Sequence, residues 1–259
     1  MITAGIDVGA KNLKAVILKD DDVIGKSMVL MEMDRKKSIR EGLEACLADA
    51  GIKKDDLDYI VATGAGEKTV DFAQKGVTVV TCDARGIGKL MPSVKTVIDI
   101  GANEARAIKR DEAGKVKDFA VNEKCAAGSG AFVEAMSRAM EVPLDEFVEL
   151  SLTSDKIIHI NAQCAVFAES EVVSLVHEET ARNDICRAVH DAMAGRIASM
   201  AKRVRIEEDV AIIGGVAHNK GMVASLKREL KVDFVMVDDP EYVGALGAAL
   251  IGAETINKG

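Results

Sequence analysis

Two acids occupy the same place in a repeated phrase. Asp7-Val8-Gly9-Ala10, followed after a short gap by Lys14-Ala15-Val16, returns as Asp99-Ile100-Gly101-Ala102 and then Arg106-Ala107-Ile108. A carboxylate at a strand end organises Mg2+ and its waters, while the glycine turn behind it lets backbone amides approach a phosphate. One Asp-x-Gly reads as an ordinary turn. Two of them facing each other read as a clamp, with Asp7 and Asp99 as the catalytic acids, Gly9 and Gly101 at the turns, and Lys14 reaching a terminal phosphate as a mobile point charge. A third glycine motif, Ile212-Ile213-Gly214-Gly215-Val216-Ala217-His218-Asn219, follows an apolar run and opens a helix whose N-terminus favours negative charge.

The elements that must carry these residues follow from periodicity. Each phrase begins on a β-rich run, at residues 3–7 and 96–100, and resumes as a second strand beyond its glycine, the pattern of a tight hairpin. The first half continues with a strand over 23–31 and an amphipathic helix over Arg35–Ala50, closed by Gly51 where a left-handed cap is favoured. A buried strand over Tyr59–Thr63 ends in Gly64-Ala65-Gly66, and a further strand is expected over 77–81. The second half predicts helices over 130–140, 168–177 and 185–204, strands over Val210–Ile213 and 233–237, and helices over Lys220–Leu230 and 242–255. Strands interleaved with helices in two related halves imply an α/β fold.

Composition narrows the function. The 259 residues are 48% hydrophobic, enough for a sizeable core, and hold no apolar run long enough to span a bilayer. The opening residues lack the basic region and apolar stretch of a secretory signal, so a cytoplasmic location is expected. A net charge of -8 argues against a nucleic-acid or anionic-membrane partner, and the absence of Trp argues against a base-stacking platform. His159, His177, His190 and His218 show no ligand spacing and are read as surface or cap residues, and the charged stretch 202–209 as a solvated helix end.

Five cysteines, at 46, 82, 125, 164 and 186, form no C-x-x-C pair. On their own, non-adjacent cysteines read as small buried side chains. Two of them, however, precede helices: Cys125-Ala126-Ala127-Gly128-Ser129-Gly130 and Cys164-Ala165-Val166-Phe167-Ala168-Glu169-Ser170-Glu171. Helix amide dipoles there favour a thiolate and an anionic cluster. A cubane takes four thiolates, so two per chain suffice only when a second chain brings the others.

The order of the motifs resembles the actin, Hsp70 and sugar-kinase superfamily: a first phosphate motif over 5–17, a second over 97–108, an adenosine motif over 212–219, and a last connecting helix at Gly244-Ala245-Leu246-Gly247-Ala248-Ala249. The resemblance implies two ribonuclease-H-like lobes, 1–93 plus 245–259 and 94–244, with ATP or ADP and Mg2+ in a cleft between them. By that resemblance Gly9, Lys11, Asn12 and Lys14, then Gly101, Ala102 and Asn103, then Gly214, Gly215, Val216 and Asn219, and finally Gly244 are nucleotide contacts.

The two cysteine phrases closely resemble the ligand motifs of the BadF/BadG/BcrA/BcrD-type ATPases, which comprise activators of 2-hydroxyacyl-CoA dehydratases and ATPase subunits of benzoyl-CoA reductase. The resemblance implies Cys125 and Cys164 as ligands of a [4Fe-4S] cluster shared in a homodimer or with a sister subunit. It further implies ferredoxin or flavodoxin as electron donor and a cluster-containing reductase or dehydratase of CoA esters as acceptor. Ala84-Arg85-Gly86 and the second phosphate motif look more like the benzoyl-CoA reductase type. The chain departs from the family where hydroxyls usually follow the first Asp-x-Gly, having Ala10 and Lys11, and where Gly-Gly-Gln-Asp is common, having Ala102-Asn103-Glu104. Glu104 is then the candidate base or Mg2+ organiser. Two rival readings are a small-molecule kinase of the N-acetylhexosamine type and a nucleotide-dependent scaffold without redox chemistry.

Overall fold

The computed structural model describes residues 1–122, 126–161 and 164–257. In chain order the strands and α-helices of the first stretch are β1 (Ile2–Val8), β2 (Asn12–Lys19), β3 (Asp22–Leu30), α1 (Arg35–Ala50), β4 (Tyr59–Thr63), β5 (Lys75–Gly76) and α2 (Val79–Leu90). They are followed by β6 (Thr96–Ile100), β7 (Ala105–Arg110), β8 (Val116–Asn122), α3 (Gly130–Ala139), α4 (Leu144–Leu152), α5 (Ala165–His177) and α6 (Arg182–Ala201). The chain ends with β9 (Val210–Ile213), α7 (Lys220–Leu230), β10 (Phe234–Val235) and α8 (Val243–Ile256).

The strands form two five-stranded sheets, ordered β3-β2-β1-β4-β5 and β8-β7-β6-β9-β10. The two orders are the same, with the first strand of each set at the centre. In the first sheet β1 runs antiparallel to β2 and parallel to β4, and in the second β9 runs parallel to β10. The duplication legible in the two acid phrases therefore extends to whole sheets, and the fold is α/β in both halves. Two compact units result: residues 1–97, 110–117 and 237–259, and residues 98–109 and 118–236.

In the first unit the central sheet is covered on both faces, which explains why β2 reads as a nearly continuous apolar run. Leu13, Ala15 and Ile17 pack on Ile39, Leu43 and Leu47 of α1. Val16 and Leu18 point the other way onto Ala245, Leu246, Ala249 and Leu250 of α8. Backbone touches backbone on that side: a methyl group on Gly247 of α8 would lie 1.8 Å from Cys82 O, and one on Gly86 of α2 would lie 2.1 Å from Val243 O. Helix α1 begins on Asp34, whose side chain accepts from Lys37 N, and ends on Gly51 at φ 67°, as its sequence predicts. In the second unit Ile98, Ile100, Ala105 and Ala107 of the sheet join Phe132, Met136, Phe147, Val189, Met193 and Ile197 in one core.

Several expectations fail. Residues 77–81 are not a strand, for α2 starts at Val79 and the strand there is Lys75–Gly76 alone. A β-branched cluster, Val77 to Val80, imitates a strand, but Val80, Ala84 and Ile87 recur at helical spacing and are buried. The stretch 202–209 is not simply solvated either, since buried Lys109 pairs with Glu207 and donates to Arg205 O at 3.1 Å. His159, His177 and His218 are exposed, but His190 is fully buried, its Nδ1 2.8 Å from Cys186 O and its ring against Phe147.

Burial holds the His190 imidazole below the ordinary histidine range, outweighing its hydrogen bonds. The folded chain thus binds fewer protons at this site than the unfolded chain. Its stabilising contribution is complete above about pH 6.5 and is lost as pH falls toward the depressed folded value. Urea midpoints measured between about pH 7 and pH 5 are expected to decline, and His190→Gln is expected to flatten that decline.

Candidate nucleotide and electron-transfer site

Each hairpin presents its acid in the same manner. Asp7 lies opposite Lys14 in the β1–β2 register, with Lys14 Nζ 3.5 Å from Asp7 Oδ2. The turn between them closes where Gly9 N donates to Asn12 O at 3.2 Å. In the β6–β7 hairpin Gly101 N donates to Glu104 O at 2.8 Å and Arg110 N to Lys95 O at the far end, which sets Asp99 opposite Arg106. Arg106 NH1 donates to Asp99 Oδ2 at 2.6 Å, and NH2 to the Glu104 carboxylate. Lys11 and Asn103 are exposed at the tips of the two turns.

Behind each acid stands a glycine at the exit of the neighbouring strand. Gly64, after β4, has φ 91°, and a methyl group there would sit 2.5 Å from Asp7 Oδ1. Gly214, after β9, has φ 84°, and a methyl group would sit 2.4 Å from Asp99 Oδ1. Both conformations disfavour side chains, and both leave room only for the carboxylate. Gly64 carries no role in the sequence reading, though its place after a buried strand matches that of Gly214. Arg106 carries none there either, though it repeats Lys14.

The structure groups the expected residues by unit. Asp7, Gly9 and Lys14 come together with Gly244 of α8, whose missing methyl group would lie 3.0 Å from Asp83 Oδ1 and 3.9 Å from Asp7 Oδ2. Asp83, on α2 and only 2% exposed, is a member of this site that no sequence motif announced. In the other unit Asp99, Gly101, Ala102 and Glu104 meet Gly214 and Val216. Gly130 is the junction, for a methyl group there would meet Val216 Cγ2 at 2.9 Å and Gly101 O at 3.3 Å. Asn219 caps α7, its Oδ1 accepting from Met222 N at 2.9 Å, and Gly215 opens the short turn before it.

Helix α3 is fastened to the second turn. Gly130 N donates to Gly101 O at 3.0 Å and Ala131 N to Ala102 O at 2.8 Å. These first amides of α3 are therefore spent on the turn rather than left for an anion, which amends the expectation drawn from the helix dipole. Cys125 lies outside the described residues. Cys164 is the N-cap of α5, in extended backbone and partly exposed. Three residues before it, Asn161 N donates to Glu171 Oε2 of α5 at 2.7 Å. Val166 and Phe167 beside it are 67% and 63% exposed. The other described cysteines differ sharply: burial pushes the thiols of Cys46, Cys82 and Cys186 up to about 12, so none offers a ready thiolate.

Comparison with known proteins decides the family. The model of the BadF/BadG/BcrA/BcrD ATPase family matches residues 4–252. The chain belongs to that family. Within the BadF/BadG/BcrA/BcrD ATPases it is 41% identical to the activator of lactoyl-CoA dehydratase from Anaerotignum propionicum, over the whole of both chains. It is 35% identical to a benzoyl-CoA reductase component from Thauera aromatica, over 97% of this chain and 93% of the relative. The activator of 2-hydroxyisocaproyl-CoA dehydratase from Clostridium difficile, solved with bound ADPNP, superposes with a TM-score of 0.93 at 34% identity, covering 100% of this chain and 96% of that one. The leaning toward the benzoyl-CoA reductase type read from Ala84-Arg85-Gly86 and Asp99-Ile100-Gly101-Ala102 is thus corrected, since identity is higher to the dehydratase activator. Ala84, Arg85 and Gly86 lie on α2, where Gly86 packs on Val243 O and Arg85 pairs with Glu254. Their contacts in this chain are packing and a surface ion pair.

The glycine geometry is directly testable. Gly214→Ala is expected to cost about 1–3 kcal/mol in urea unfolding, because it combines positive φ with a clash against Asp99. Gly215→Ala, where a methyl group meets nothing within 4 Å, is expected to stay within about 0.5 kcal/mol of the parent.

Proposed function

We propose that the chain is an ATP-hydrolysing activator that delivers low-potential electrons to a 2-hydroxyacyl-CoA dehydratase, or to a related CoA-ester reductase, from a [4Fe-4S] cluster held between two copies of the chain or with a sister subunit. The observation that carries this reading is the seam between Gly101-Ala102 and Gly130-Ala131, which ties a phosphate turn to the helix that follows the Cys125 phrase. A change at the turn has no slack through which to be lost before it reaches that helix.

In this reading Gly9 and Gly101 present backbone amides to the phosphates, and Lys11 and Lys14 neutralise their charge. Gly214, Gly215, Val216, Asn219 and Gly244 border the rest of the nucleotide. Asp7, with Asp83 beside it, is the proposed Mg2+ organiser of the first unit and Asp99 its counterpart in the second, and the ion would supply neutralisation of developing phosphate charge. Glu104 orients the attacking water and accepts its proton, while Asn103 supplies an amide at the same turn.

Cys164 suits a ligand role for physical reasons. It caps a helix, is reachable, and is flanked by exposed apolar residues of the kind that a partner chain covers. Cys125 is its proposed companion, so that two chains would bring four thiolates. The cluster would supply one-electron transfer at low potential. Ferredoxin or flavodoxin is the proposed donor. Identity to the lactoyl-CoA dehydratase activator supports a dehydratase as acceptor. Among the described residues no helix is long and apolar enough to cross a membrane.

Protein purified without oxygen is expected to carry about four irons and four sulfides per pair of chains. Cys164→Ser is expected to lose the iron while keeping ADP binding. Glu104→Gln is expected to lower ATP turnover by about 100-fold or more with ADP affinity preserved. An iron-free dimer with undiminished turnover would instead leave a nucleotide-dependent scaffold, and phosphoryl transfer to an amino sugar would leave a kinase.

A further inference from the structure

The two phosphate turns share a backbone but not a charge. Position for position, Gly9 corresponds to Gly101, Asn12 to Glu104 and Lys14 to Arg106. The first turn holds one acid, Asp7, with two lysines, Lys11 and Lys14. The second holds two acids, Asp99 and Glu104, with one cation, Arg106. A turn rich in ammonium groups suits phosphate. A turn with two carboxylates about one guanidinium suits the handling of water.

We propose that Arg106 is the positioning residue of the second turn, its guanidinium fork setting Asp99 and Glu104 in the orientation that hydrolysis requires. This deepens the function proposed above and rests on it. Three observations support the assignment. The Arg106 side chain is 13% exposed and its two terminal nitrogens go to different carboxylates, so it spans them rather than pairing with one. Glu104 is fixed through its main chain as well, since its carbonyl accepts from Gly101 N. Lys14 in the first turn makes a longer contact, 3.5 Å, to a single acid. A planar fork imposes the spacing and direction of two carboxylates, whereas an ammonium on a flexible stem imposes neither.

The chemical step itself leaves Arg106 unchanged. Water oxygen bonds to the γ-phosphorus as the bond to the β–γ bridging oxygen breaks, its electron pair leaving with ADP, and the water proton passes to Glu104. Arg106 determines where the accepting oxygen stands. A misplacement of about 1 Å at such a group costs on the order of 100-fold in rate.

The test compares Arg106→Lys, Arg106→Gln, Glu104→Gln and the Arg106→Lys/Glu104→Gln double variant. Steady-state ATP hydrolysis and ADP binding by calorimetry are the readouts, with a thermal melt for each protein. Arg106→Lys keeps the charge and is the variant most certain to fold. It is expected to lower kcat by about 10- to 100-fold, with KM for ATP and Kd for ADP within about 3-fold of the parent. In the Glu104→Gln background the same change is expected to cost clearly less than it does in the parent, because the proton acceptor is gone and only Asp99 is left to be positioned.

Full kcat in Arg106→Lys would overturn the proposal, since charge alone would then suffice. A rise of about 10-fold or more in KM and Kd at unchanged kcat would also overturn it, assigning Arg106 to phosphate binding. So would independent, multiplying losses in the double variant. If the parent protein turned over no ATP, the proposed function would fall. Amide exchange separates the two failures: faster exchange at Gly101 N–H in Arg106→Gln would show that Arg106 orders the turn even so, and unchanged exchange would reject the positioning role as well.

Discussion

The whole arrangement depends on a contact between a strand-end carboxylate and the glycine that leaves the adjacent strand. Asp7 rests against Gly64 and Asp99 against Gly214, each glycine at positive φ and each too close to the acid to carry a side chain. The contact requires the neighbouring strands, β1 with β4 and β6 with β9, to lie side by side with their ends aligned. That alignment in turn fixes where the hairpin turns begin. The acid, the turn glycine and the cation across the hairpin all inherit their places from it.

Much of this was legible in the residues because hairpins are local. The repeated Asp-x-Gly phrases predict both turns, and the Gly51 cap and the Tyr59–Thr63 strand fall where periodicity places them. What was not legible involves partners distant in sequence. Asp83 joins Asp7 only because α2 is a helix pressed on α8 at Gly86 and Gly247, and the β-branched cluster at its start disguised that helix as a strand. Arg106 looked like an ordinary strand residue, because the alternation that places it opposite Asp99 is the same for any basic side chain. Its span of two carboxylates appears only when the turn is closed. His190 gave no signal either, since a histidine on a helix carries no mark of burial until the helices beside it are packed.

The thiols divide along physical lines. Cys46, Cys82 and Cys186 are buried small residues with their ionisation suppressed, which leaves them inert toward oxidants and metals alike. Cys164 stands apart at a helix start, on the helix whose Glu171 accepts from Asn161 N. The phrase around Cys164 thus has a structural reading for its acidic end as well as its thiol. Glu171 accepts from Asn161 N, three residues before the cysteine.

Helix α8 also bears on how the chain is made. The first unit is completed by residues from the far end of the sequence, after the second unit has been inserted within it. On a ribosome the strands of the first sheet therefore emerge long before α8, leaving Val16 and Leu18 without their cover while most of the chain is still being synthesised. The second unit, nearly contiguous, has its core residues in hand by the time α7 is out. The second unit's core residues are thus all present in the nascent chain before the first unit's, and the first turn gains its backing only once α8 has been made.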